Sequence, residues 1–159
     1  MNLLFRLFPW KRVLYVSLTI LSMVIVLNFY GLYTNKFYFF KYDNYIVPLL
    51  TLIHFTYLYV LDFKIREKEL PDPQMRNLEY VLYVILFIYL FKIFDTLYII
   101  SSYDEYDSHL LPTTFIPVGV LIVALYLFLL LMAFISFKLR VKEVGKYNFV
   151  DYNSNIDSW

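Results

Sequence analysis

Lys92 and Asp95 stand three residues apart inside a long apolar run. That spacing puts both on one helix face and lets them pair. A charge held in such a run costs on the order of 3 kcal/mol on insertion scales, and pairing removes much of that cost. The pair reads in two ways. It is an internal ion pair docked against a neighbouring helix, or it is a relay for protons or ions in which burial makes Lys92 titratable and Asp95 tunes it. One such pair without a second intramembrane acid makes no continuous path.

His54 stands near the middle of another apolar run. As an axial haem ligand it would need a second histidine at similar depth, and the other histidine, His109, falls in a loop. A neutral imidazole bonded across to Asn28 or Thr51 is the simpler expectation, with a quinone contact or proton relay as the sharper one. Asn28, Thr51, His54, Lys92, Asp95 and Thr96 thus form the candidate intramembrane polar cluster, gathered mainly toward one end of the apolar runs. Thr113 and Thr114 lie toward the same end. The opposite half holds little beyond Ser17, Thr19, Thr56 and Ser136.

Other chemistry is excluded by residue type. With no cysteine there is no disulfide framework, thiol nucleophile or Cys-ligated metal. Motifs of serine hydrolases, zinc proteases and phosphate-binding loops are absent, and three glycines cannot build a backbone phosphate cradle. Asp104-Glu105-Tyr106-Asp107 lacks the spacing and glycine of an EF-hand. No catalytic constellation, cofactor or metal is expected, although the chain can still belong to an enzyme complex. A net charge of +1 gives no case for nucleic acid.

The elements that must position these groups are four apolar runs, 13–33, 44–63, 79–100 and 112–137. Each is about the 20 residues a helix needs to cross a hydrocarbon core of roughly 30 Å. The chain is 61% hydrophobic with a mean hydropathy of +0.61, far from a soluble domain. The runs are continuous and lack the alternation of a membrane barrel strand. The expected fold class is all-α: an integral membrane protein with four transmembrane helices forming one domain over 1–145, followed by a polar tail over 146–159. The first run is too long for a signal-peptide core and has no small-residue cleavage site, so it is expected to remain.

Orientation follows from lysine and arginine. Eleven fall on one side (Arg6, Lys11, Arg12, Lys64, Arg66, Lys68, Arg76, Lys138, Arg140, Lys142, Lys146), against Lys36 and Lys41 on the other. The positive-inside rule places both termini in the cytoplasm or matrix. Pro71 and Pro73 break the inner connection, whose charges from Lys64 to Glu69 read as the solvated end of the second helix. Pro117 and Pro48 are expected to kink the fourth and second helices. The aromatics Phe37 to Phe40, Tyr103 and Tyr106 read as an interfacial belt or as a contact for another subunit. The tail from Tyr147 to Trp159, polar with spaced aromatics, is expected to order only on another chain.

Phe (16) and Tyr (17) abound while alanine occurs only at 124 and 133. This is the usage of an AT-rich genome, organelle genomes included. Large side chains on every run leave little small-residue seam for self-packing. These features together set the functional expectation: a non-catalytic, accessory subunit of a large inner-membrane complex, foremost of the respiratory chain and organelle-encoded, in contact with other membrane subunits and lipid. The membrane would be the mitochondrial inner membrane or the bacterial cytoplasmic membrane. The alternative is a proton- or ion-translocating subunit using Lys92 and Asp95; an enzyme acting on lipid or quinone would have only His54 and Asp95 as acid–base groups.

Overall fold

The computed structural model describes residues 9–106 and 111–147. Four helices dominate it: α1 Trp10–Asn28, α2 Ile46–Glu67, α3 Pro73–Ser101 and α4 Phe115–Glu143. All four are long and apolar enough to cross a membrane. Short connections make consecutive helices antiparallel neighbours, and α1 also packs along α4, which closes the ring α1–α2–α3–α4. Contact across the α2–α4 diagonal is slight. One end of the bundle collects the basic residues and is called the basic end here; the other carries a small β-hairpin.

The helix boundaries differ from the apolar runs, and each difference has a local cause. Helix α1 stops at Asn28 and does not run on to residue 33, because Tyr30–Gly31 (β1) pairs antiparallel with Lys36–Phe37 (β2). Asn35 takes the left-handed conformation (φ 51°) that asparagine tolerates in a tight turn. Gly31 is needed there: a Cβ at this position would lie 2.6 Å from Cε2 of Tyr38. The side-chain amide of Asn28 donates to the carbonyl of Asn44 and so ties the end of α1 to the approach to α2.

Helix α3 starts at Pro73, six residues ahead of its apolar run. Proline cannot continue a helix but suits its first position, and Asp72 caps it, Oδ1 accepting from the Met75 N–H at 2.7 Å. The same logic relocates the expected kinks. Pro117 and Pro48 fall in the first turns of α4 and α2, where backbone N–H groups have no intrahelical acceptor to lose. The irregularity at Pro48 lies ahead of it, in the 3-10 turn Tyr42–Tyr45.

The core is built from large side chains. Leu21, Tyr57, Leu58, Leu61, Leu82, Tyr89, Leu129 and Met132 are fully buried between the helices. Where small residues occur they serve close packing: a Cβ on Gly119 would meet Ile100 of α3 at 2.8 Å. The outer aromatics mostly pack on one another. Phe37 stacks on Phe39 at 5.8 Å, Phe29 meets Tyr45 at 5.0 Å, and Tyr33 lies between Tyr106 and Phe115. Phe40, by contrast, is fully exposed.

Leu129 touches the centre of this core, so Leu129→Ala is expected to lower stability by about 2–5 kcal/mol, the range for a truncated buried leucine. Denaturation of the detergent-solubilised protein, followed by circular dichroism, measures it against a surface control such as Leu131→Ala.

Candidate functional site

Polar groups occupy three levels along the bundle. At the hairpin end a half-open cavity of about 390 Å³ lies between α1, α3, α4 and the loop carrying the hairpin. Asn28, Lys92, Asp95 and Thr96 line it, together with Lys41, Asn44 and Tyr126. Lys92 Nζ lies 3.7 Å from Asp95 Oδ2, with 39% and 57% of the two side chains exposed. The pair therefore sits on the rim of the cavity, and not in a dry interior. Thr96 is buried and donates to the carbonyl of Lys92.

Thr51 and His54 lie elsewhere. Thr51 donates to the carbonyl of Pro48 at 2.6 Å, and Asn28 is engaged with Asn44. Neither reaches His54, which corrects the expected cross-helix hydrogen bond. Thr51 spends its donor on a carbonyl of its own helix, as short polar side chains do, and Asn28 spends its donor on the approach to α2. The His54 ring is fully buried and stacks on Tyr89 at 6.0 Å between centroids. So four of the six sequence candidates meet in one cavity, and two lie deeper.

The third level, at the basic end, is one that sequence reasoning missed. Glu79 of α3 and Arg140 of α4 are 1% and 6% exposed. They form a two-pronged pair: Arg140 Nε donates to Oε2 at 2.9 Å and Nη2 to Oε1 at 2.8 Å. The parallel fork matches the carboxylate and is the strong form of this contact. Tyr83 and Tyr147 also donate to Glu79, at 2.6 and 2.7 Å, and Arg140 covers the Tyr147 ring at 4.2 Å. Tyr147, the first residue of the expected disordered tail, thus finds its place within this chain. Residues 148–159 lie outside the described residues. Burial, then the Glu79 carboxylate, pushes the Tyr147 phenol up, which keeps it a neutral donor.

Beside this cluster, Lys64 is buried and bridges Asp72 at 2.7 Å and Glu69 at 2.8 Å. The expected solvated end of α2 holds for Arg66 to Glu69, which are exposed, whereas Lys64 is drawn into a packed ionic joint. Asp62 accepts from the indole of Trp10 at 2.8 Å and pairs with Arg66. Burial works to raise the Asp72 carboxyl, but the Lys64 hydrogen bond, the Met75 amide and the Lys64 charge outweigh it and hold it below the usual range. Among the described residues no three His, Asp or Glu side chains gather as metal ligands would.

No family model, curated protein or solved structure matches this chain. The missed cluster had one faint signal. Glu79 and Arg140 are opposite charges bordering the third and fourth apolar runs at the same end, where antiparallel helices bring them level.

Two outcomes follow from the basic end. Arg140→Leu leaves a buried carboxylate unpaired and is expected to cost about 3–5 kcal/mol, whereas Glu79→Leu with Arg140→Met together should recover most of it. Denaturation midpoints of the single and double variants measure this; equal loss in both would mean that the cluster holds through Tyr83 and Tyr147. Asp72 has a lowered carboxyl in the folded protein, so its stabilising effect is present above about pH 4, the ordinary aspartate value, and is lost as pH falls below it. The difference in melting temperature between the native chain and Asp72→Asn should accordingly shrink to nothing in acid.

Proposed function

We propose that this chain is a non-catalytic, four-span subunit of a larger inner-membrane complex, with both termini on the basic side. Its composition makes the respiratory chain the first assembly to test. The observation that carries the reading is the outer face of α3. Tyr80, Val84, Phe87, Phe91, Phe94 and Tyr98 are all exposed along one stripe, and only 22% of the apolar stretch of this helix is buried. Lipid covers aromatic side chains readily, so the stripe alone does not single out protein. Asp95 supports a protein neighbour: this carboxylate is more than half exposed on the same helix as Phe91, Phe94 and Tyr98. Bare hydrocarbon is a costly place for it, whereas a hydrogen-bond donor on a neighbouring subunit would satisfy its remaining lone pairs.

A second reading has its own observation. The cavity joins Lys92 and Asp95 to the hairpin end, as a proton- or ion-translocating subunit requires at the entrance to its path.

Native electrophoresis after mild detergent extraction tests the first reading. The chain should migrate in a complex much larger than its own 19.3 kDa, and Phe91→Ala with Phe94→Ala should lower that assembly several-fold while insertion is unchanged. A stable lone monomer overturns it. The absence of native cysteines makes orientation accessible. A single cysteine at 145 should be labelled from the inner side and one at 104 from the outer side; the reverse pattern overturns the topology.

A further inference from the structure

The middle of the bundle holds polar side chains that the candidate cavity does not account for. Ser17 Oγ, both ring nitrogens of His54 and the Tyr89 hydroxyl have no hydrogen-bond partner among the described residues, and the Tyr57 hydroxyl has at most a loose contact with Ser136. All four side chains are fully buried. Buried polar atoms in folded proteins are satisfied, and where protein groups do not suffice, ordered water does it. An imidazole with neither nitrogen engaged is an especially strong case, since one nitrogen must donate and the other accept.

These groups fall in order along the bundle axis. The Trp10–Asp62 hydrogen bond sets α1 and α2 level at the basic end. From there Ser17 lies ~10 Å along α1, and Tyr57 and His54 lie ~8 and ~12 Å along α2, by helical rise. The Glu79–Arg140 pair sets α3 and α4 level in the same way. Ser136 then stands ~6 Å along α4, Tyr89 ~15 Å along α3 and Tyr126 ~21 Å along α4. The groups also meet in space. Tyr126 lines the cavity beside Asp95 and Thr96, and its ring is 5.7 Å from Tyr89, which stacks on His54. Toward the basic end the Tyr57 ring lies 5.5 Å from that of Phe137, which in turn meets Tyr83, a donor to Glu79, at 4.9 Å. Ser136 donates to the carbonyl of Ala133, so its oxygen remains free to accept.

We propose that these side chains line a water-bridged polar column that carries protons between the hairpin-end cavity and Glu79, with His54 as the central relay. The proposal rests on the translocating reading of the cavity and extends it from an entrance to a through-path. Its chemistry needs no co-reactant. A proton binds the free nitrogen of the neutral His54 ring, and the proton on the other nitrogen leaves toward Tyr57. Tautomer exchange then resets the ring, and nothing is oxidised or reduced. Of these groups, Tyr89 from α3 stacks on the His54 ring, and Tyr126 from α4 lies beyond that ring.

The test is proton entry into phosphatidylcholine vesicles that hold the full chain and a pH-sensitive dye, driven by a potassium diffusion potential. The native chain should admit protons at least tenfold faster than protein-free vesicles, and His54→Phe should abolish at least nine-tenths of that excess. Tyr57→Phe and Tyr89→Phe each delete a single oxygen, so they keep the test decisive if His54→Phe does not fold; each should slow entry several-fold. Entry no faster than in protein-free vesicles overturns the column. Loss in Asp95→Asn with full entry in His54→Phe, Tyr57→Phe and Tyr89→Phe also overturns it, while leaving the cavity reading standing. An independent readout is transfer of magnetisation from water to the imidazole in solid-state NMR. With only two histidines in the chain, His109→Gln isolates the His54 signal; a dry His54 overturns the proposal.

Discussion

The two-pronged Glu79–Arg140 pair is the contact on which the arrangement of the bundle depends. Helices whose surfaces are almost wholly apolar slide past one another at little cost, because any leucine does nearly as well against any other. A fork-to-carboxylate contact does not slide, since a shift of one residue separates the charges and leaves each buried alone. This pair therefore fixes α3 against α4 in register, and Trp10 on Asp62 does the same for α1 against α2. Lys64 on Asp72 locks the turn between the two halves. Once these joints are set, the depth of every interior side chain follows by helical rise.

The two ends use different means. The basic end is ionic and satisfied by charges from separate helices. The hairpin end relies on hydroxyls, amides and stacked rings: Tyr30 with Thr114, Tyr33 with Ser102, and Asn28 with Asn44. Water competes for such contacts more easily, which is consistent with the cavity opening on that side and with Lys92 and Asp95 remaining half exposed on its rim. Between the ends, large aromatic side chains fill the space that glycine and alanine seams fill elsewhere. Those aromatics are tyrosines as well as phenylalanines, and so they bring hydroxyls into the core.

The four helices were legible in the sequence because hydropathy and length are local properties that need no knowledge of partners. The chain turns were less so. The run 13–33 is apolar or aromatic apart from Ser17, Thr19, Ser22, Asn28 and Gly31, and nothing in its hydropathy says that α1 stops at Asn28; Gly31, Thr34 and Asn35 carry the turn chemistry. Pro71 and Pro73 read as a stop because proline breaks a helix, yet Pro73 is the first position of α3 and Asp72 its cap. Among the site residues, the Lys92–Asp95 spacing revealed its own partner, being on one helix. Glu79 and Arg140 did not: they lie 61 residues apart, and each alone reads as an ordinary charge at the end of a run. His54 was conspicuous from the start, but its surroundings depend on which rings α3 and α4 turn inward, which periodicity in uniformly apolar helices does not specify.

That separation of 61 residues between Glu79 and Arg140 also bears on how the chain is made. Synthesis runs from the N-terminus, so α1, α2 and α3 emerge complete while Glu79 still has no guanidinium. Until residue 140 is joined, the third helix ends in an unsatisfied acid, and Tyr147 follows later still. The fourth helix, Phe115–Glu143, thus converts an open, polar-ended trio into a closed ring. A ribosome product that stops short in α4 would keep every long apolar segment in some form and yet carry a bare carboxylate at the seam. The charge at this seam is therefore neutralised only once the fourth helix has been made as far as Arg140.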